Sequence, residues 1–263
     1  MYIEPGGAHD DERIRERTRA RRGTGGPGLT RCQTCPHHRA GHCHLAGLDT
    51  VRQVTLRADT VLFHQGERTQ RVGVLRSGYV RMVRFSAEGR RVGLGIARPG
   101  DLIGALPGRR TAFEVEAATE VTLCMTDTAT LERGMARLPA LRRQVLRNTG
   151  EQLARVHEQI WLRGRLSSRE RIIAFLVRAA EYLPTVPQTD GSVIVEIPLP
   201  RRDWAGITDT AVETVSRTMS SLAAEGEVET LGRGRGRYRL VNPARLARLA
   251  RLAPERDEAD AAA

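Results

Sequence analysis

From Val51 to about Met125 the apolar residues fall in short alternating runs: VTLRADTVLF, VGVLRSGYVRMVRF, RVGLGIARPGDLIG and FEVEAATEVTLCM. Turn signals at Gly66, Gly78, Gly89 and Gly100 separate them. Short strands at this spacing predict a small antiparallel roll over residues 51–136. The period then changes. Leu146, Thr149, Leu153, Val156 and Ile160 recur at 3-4-3-4 spacing, which predicts a long helix over 137–166 with a self-associating seam. Ser167-Ser168-Arg169-Glu170 reads as the N-cap of a further helix.

Beyond the loop PTVPQTDGS, the segment PRRDWAGITDTAVETVSRTMSSLAAEGEVE predicts two helices joined by a short turn and closed at Gly226. Val212, Val215, Met219 and Leu222 mark the stripe expected to be buried on the second helix. Glu213, Ser216 and Arg217 stand at i, i+3 and i+4 and so share one exposed face. A carboxylate can accept from cytosine N4, and a guanidinium fork fits guanine O6 and N7. LGRGRGRYRLVN then predicts a hairpin wing carrying Arg233, Arg235 and Arg237. The whole pattern predicts an α+β chain: an N-terminal β-roll, a long helix, and a C-terminal winged helix-turn-helix that binds double-stranded DNA.

Composition sharpens this. Formal net charge is +11, and all 42 cationic residues are Arg, whose planar fork suits phosphate and guanine. No run approaches the ~18 consecutive apolar residues of a membrane span. The N-terminal MYIEPGGAHDDERIRERT lacks the apolar core of a secretion signal. No membrane association and a cytoplasmic, reducing setting are therefore expected, and clustered cysteines there point to metal or redox chemistry.

That clustering is pronounced. RCQTCPHHRAGHC, residues 31–43, holds Cys32, Cys35 and Cys43, and the fourth cysteine, Cys124, lies in the late strand VTLCMT. Val121, Leu123 and Met125 are expected to face inward there, turning Thr122, Cys124 and Thr126 out of the roll, where an N-terminal loop could meet them. Four thiolates suit an iron–sulfur cluster or zinc, and the neighbouring histidines keep mixed Cys/His zinc ligation open. No second acid/base group accompanies the loop, so an enzyme is not expected.

Asp203, ten residues before the Glu213 of VETVSR, resembles the DNA-binding domain of the Crp/Fnr regulators. LFHQGE, RFSAEGRRVGLGIARPGDLIG and LPALRRQ…SSRERIIAFL extend the resemblance over residues 30–250. Relatives often have Gly in the helix-turn-helix turn where this chain has Asp209, a residue type that tolerates the left-handed region. The resemblance implies that Glu213, Ser216 and Arg217 read a two-fold site like TTGAT-N4-ATCAA, as a homodimer paired along the seam and working with RNA polymerase. C-x2-C-x7-C plus a late-strand cysteine is similar to the oxygen-sensing Fnr branch, which implies Cys32, Cys35, Cys43 and Cys124 as ligands of a [4Fe–4S] cluster, with zinc as the alternative.

In a seam position where such relatives can carry a carboxylate, this chain has Val156. Crp-type members instead bind a cyclic nucleotide in the roll. Arg110-Thr111-Ala112 matches part of that motif, but Ala105 stands where its ribose-binding Glu would be. The expected organisation is a disordered basic extension (1–30), a cysteine-rich loop (31–50), the roll (51–136), the dimerisation helix (137–166), the winged helix-turn-helix (167–245) and a tail (246–263).

Overall fold

A computed structural model describes residues 45, 48, 50–104, 110–232 and 236–252. The expected extension, Cys32, Cys35, Cys43, Ala105, Arg233, Arg235 and the last residues of the chain lie outside these. The chain divides into two units, with the division at Gln152/Leu153 inside the long helix and Val92–Gly95 grouped with the second.

The first unit, together with Val92–Gly95 of the fifth strand, makes the expected roll. It contains β1 (Arg52–Leu56), β2 (Val61–Phe63), β3 (Arg71–Ser77), β4 (Val80–Phe85), β5 (Arg91–Ala97), β6 (Leu102–Gly104), β7 (Glu114–Ala117) and β8 (Val121–Asp127). These form two four-stranded sheets, ordered β1-β8-β3-β6 and β2-β7-β4-β5. The turn glycines earn their positions conformationally: Gly66, Gly78, Gly89 and Gly100 have φ of 82°, 80°, 76° and 96°, which strains any side-chain-bearing residue. Leu75 and Leu123 of the first sheet pack with Val80, Val115 and Ala117 of the second, so the core fills the space between the sheets.

The outer face of the first sheet carries a second apolar cluster. Val72 and Val74 meet Leu131 of α1 (Thr128–Arg137) and Leu141 and Val145 of α2 (Pro139–Arg165). Leu45 joins them at 1% exposure, with Leu48 packed alongside. A Cβ on Gly134 of α1 would lie 2.4 Å from Leu48 Cδ2, so a side chain there would require the Leu48 side chain to shift. Asn148 and Gln152 fix α2 to the roll. Leu102 N donates to Asn148 Oδ1 (3.0 Å), and Gln152 Nε2 donates to the Leu102 carbonyl (2.9 Å).

On the second sheet, Arg81 is buried against Glu116 and Asp59, and Arg91 also reaches Glu116 at 3.1 Å. Burial works to raise the Glu116 carboxyl, but the two guanidinium groups outweigh it and hold the group below its ordinary value.

The second unit contains α3 (Ser168–Tyr182), β9 (Thr185–Pro187), β10 (Val193–Glu196), α4 (Arg201–Thr208), α5 (Val212–Ala224), β11 (Val228–Leu231), β12 (Arg237–Leu240) and α6 (Pro243–Leu249). The expected cap is present as a full capping box: Ser167 accepts from Glu170 N, and the Glu170 side chain accepts from Ser167 N. The four strands form one sheet, ordered β11-β12-β10-β9. Trp204 anchors the core, 5.0 Å from Phe175 and 5.4 Å from Tyr238 between ring centroids, and its indole N–H donates to the Leu199 carbonyl.

Two expectations need correcting here. The packed structure runs past residue 245: α6 reaches Leu249, and Leu246 and Ala250 are fully buried, so a tail begins later than 246. Val212 is not part of the buried stripe, being 38% exposed. It opens α5 and sits about 60° around the helix from Val215 at 3.6 residues per turn, at the edge of the stripe.

Candidate functional site

α4 and α5 are joined by a three-residue turn at Asp209–Ala211, which begins with Asp209 in the left-handed region at φ 50°, ψ 54°. An aspartate thus fills the place a glycine would fill at less cost. Arg171 of α3 explains how the turn is held. Its Nε donates to the Thr208 carbonyl (2.7 Å), its Nη2 to that of Asp209 (2.9 Å) and its Nη1 to that of Leu166 (2.7 Å). Nothing in the local sequence singles out Arg171, because its acceptors lie 37 and 38 residues away. Arg171→Met should lower the unfolding free energy of the protein in urea by at least about 1.5–3 kcal/mol, the range for hydrogen bonds to a charged group.

On α5, Val215, Met219 and Leu222 are buried, while Glu213, Ser216 and Arg217 are all exposed on the opposite side. Glu213 stands in the first turn, where a helix N-terminus favours a carboxylate. Arg237 is on β12 of the wing. The structure therefore brings Glu213, Ser216 and Arg217 onto one solvent-facing strip, the disposition that base-edge reading requires. Arg217→Ala should cost about 1–3 kcal/mol at its base pair and relax preference there. Arg235→Ala should instead weaken specific and random duplexes alike and flatten the salt dependence. Titrating both variants against matched and scrambled duplexes at several salt concentrations checks this, and equal loss for Arg217→Ala on both duplexes would remove it from base reading.

Cys124 sits mid-strand in β8, paired with Gln53 of β1 and Val74 of β3. Val121 and Leu123 face the core between the sheets, so Cys124 faces outward as expected, and it packs with the cluster that holds Leu45 and Leu48. Thr126 is on the same face but is buried. Among the described residues no group of three or more His, Cys, Asp or Glu is gathered.

The seam residues Leu146, Thr149, Leu153, Val156 and Ile160 all lie exposed along α2, with Trp161 beside them. The other face of α2 meets the roll through Leu141, Val145 and Asn148. Among the described residues no helix is long and apolar enough to cross a membrane.

Of the residues that resemble a cyclic-nucleotide motif, Thr111 is buried and its hydroxyl donates to the carbonyls of His64 and Glu67. Arg110 Nη1 donates to the Gly66 carbonyl at 2.7 Å. Both side chains brace the turn over residues 64–67.

Comparison with known proteins agrees with this architecture. The cyclic nucleotide-binding domain family matches residues 53–137, and the Crp-like helix-turn-helix domain family matches residues 170–249. The transcriptional activator protein FnrL of Cereibacter sphaeroides is 28% identical over 215 residues, 78% of this chain and 86% of its own length. The transcriptional activatory protein AadR of Rhodopseudomonas palustris is 30% identical over 189 residues, 72% of this chain and 77% of its own. The structure of FixK2 from Bradyrhizobium japonicum shares the fold with a TM-score of 0.68 at 24% identity, covering 76% of this chain and 97% of that one. A roll, a long helix and a winged helix-turn-helix whose recognition strip is exposed, together with these matches, place the chain in the Crp/Fnr family of DNA-binding transcriptional regulators.

Proposed function

We propose that this regulator is an oxygen- or redox-responsive activator that holds a [4Fe–4S] cluster on Cys32, Cys35, Cys43 and Cys124. The carrying observation is that Leu45 is buried in the apolar cluster against which Cys124 packs. Cys43 is two residues from Leu45, and two extended residues span at most about 7 Å. The docked segment therefore limits how far the third cysteine can lie from the face that carries the fourth. The names of FnrL and AadR as activators support the direction of control. The thiolate donor set fits iron–sulfur ligation, and it also fits zinc.

When bound, the cluster supplies an oxygen-labile tie between the N-terminal segment and β8. The chain's own residues connect that strand to the seam. β8 pairs with β3, β3 with β6, and Leu102 of β6 is gripped by Asn148 and Gln152 of α2. The seam on α2 pairs two copies, and a two-fold dimer presents two recognition helices to half-sites about one DNA turn apart, as in a TTGAT-N4-ATCAA-like operator. RNA polymerase is the partner of the DNA-bound activator.

Anaerobic purification followed by iron, acid-labile sulfide and zinc analysis tests the reading. Iron and sulfide in near-equal amounts, with operator affinity that falls on exposure to air, are expected. Zinc without sulfide would replace oxygen sensing by zinc control on the same scaffold.

A further inference from the structure

We infer that Arg169 and Arg171, both on the first turn of α3, form a bracket that sets the angle of the recognition helix α5 against the end of the long helix α2. They act as positioning residues that determine which half-site spacing the dimer reads. The inference rests on the two-fold DNA reading above and deepens it.

The bracket holds α5 at both ends. Arg171 takes the leading end: its Nε and Nη2 donate to the carbonyls of Thr208 and Asp209, at the turn that feeds α5. Arg169 takes the far end: its Nη1 donates to Ser221 Oγ at 2.8 Å, and its Nη2 donates to both carboxylate oxygens of Glu225 at 2.8 and 2.7 Å. Ser221 Oγ in turn donates to Glu225 Oε1 at 2.6 Å. The 13 residues of α5 span about 20 Å at 1.5 Å per residue. One contact would leave such a helix free to pivot, whereas contacts at its two ends fix its direction.

The base of the bracket is the end of α2. Leu166 and Ser167 alone separate α2 from α3, and the capping box closes that step. Arg171 Nη1 donates back to the Leu166 carbonyl, the kind of group that a helix end leaves without an intrahelical partner. Leu166 and Thr208 are buried and Arg171 is half-buried, so this part of the bracket is shielded from water. One guanidinium thus joins the end of α2 to the entry of α5. The seam residues Leu153, Val156 and Ile160 lie on the same part of α2, within the second unit. Lengthening a spacer by one base pair moves the far half-site by about 3.4 Å and turns it by about 35°. A recognition helix held at both ends cannot follow that change, and one held loosely can.

Spacing can be separated from base reading and from stability. The anaerobically purified full-length chain, Arg171→Met, Arg171→Lys and Arg169→Ala would be titrated against TTGAT-N3-ATCAA, TTGAT-N4-ATCAA and TTGAT-N5-ATCAA duplexes. An N4 duplex with both half-sites scrambled serves as the check on base reading. Arg171→Met removes every donor. Arg171→Lys keeps the charge but gathers its donors on one atom, which cannot span two helix ends. Thermal unfolding of each protein fixes a temperature at which the titrated proteins are folded, and should Arg171→Met fail to fold, Arg171→Lys decides.

The unaltered chain is expected to prefer N4 over N3 and N5 by roughly tenfold or more, the cost of about one misplaced base pair. Both Arg171 variants should bring the three spacers within about threefold of one another, while still preferring matched over scrambled half-sites. Arg169→Ala should fall between, because the contacts it removes are more exposed. A role confined to stability predicts instead weaker binding to all three spacers in an unchanged ratio. A folded Arg171→Met or Arg171→Lys protein that ranks the spacers as the unaltered chain does therefore overturns the proposal. If the unaltered chain shows no spacer preference, the two-fold reading itself fails and the inference with it.

Discussion

Replacing Cys124 with serine is expected to abolish iron and sulfide binding as completely as replacing Cys32, Cys35 or Cys43. A serine oxygen is a far weaker base for iron than a thiolate, and the strand gives the site no substitute. The nearest partners of Cys124 across the sheet are Gln53 and Val74, neither of which is a soft donor. The loss should not reflect unfolding. Cys124 is only partly buried, and the threonines two residues to either side already place hydroxyls on the same face. Metal-free Cys124→Ser should therefore unfold close to the metal-free parent on heating. The result that defeats the proposal is a Cys124→Ser protein that keeps its metal in full. The N-terminal cysteines and the adjacent His37, His38, His42 and His44 would then be holding it alone, as zinc.

Metal-free protein should form dimers at micromolar concentration, and Val156→Asp should drive it to monomer. In the single chain Leu146 is 65%, Leu153 53%, Val156 43% and Ile160 62% exposed, all along one line of α2. Full burial of such a side chain is worth about 1.5–3 kcal/mol, and a two-fold pairing buries each of them twice. The seam holds one polar residue, Thr149, whose hydroxyl is already satisfied by the Val145 carbonyl at 2.9 Å. It therefore brings no unpaired group into the interface.

An aspartate at 156 faces its own copy across the axis. Burying like charges together adds repulsion to desolvation, so the dimer should weaken about tenfold for each 1.4 kcal/mol lost. Glu158 does not already provide this gate, because it forms an ion pair with Arg178 on α3. Sedimentation of metal-free parent and variant decides the matter. A parent that is monomeric until metal is added would show that assembly, and not helix orientation or DNA affinity, is what the metal controls.

The alternating runs, the 3-4-3-4 seam and the spacing of Glu213, Ser216 and Arg217 were legible because each expresses a local period, and burial of one face follows from it. Asp209 was placed in its turn by the resemblance, since relatives often have Gly there, and the structure puts it in the left-handed region that few residue types accept. Cysteine spacing pointed to metal chemistry, since clustered thiols in a reducing setting have few other uses.

What the sequence could not contain was who meets whom across the sheet. That Gln53 and Val74 flank Cys124 depends on the order β1-β8-β3, which joins Cys124 to residues about 71 and 50 positions away. The same holds for Arg171 gripping the turn at Thr208 and Asp209, and for Asn148 and Gln152 fastening the long helix to Leu102. Periodicity determines which face of an element is buried, because one solvent boundary acts on every residue alike. Pairing between distant polar groups is decided only when the packed chain brings a particular donor to a particular acceptor, and no repeat along the sequence records it.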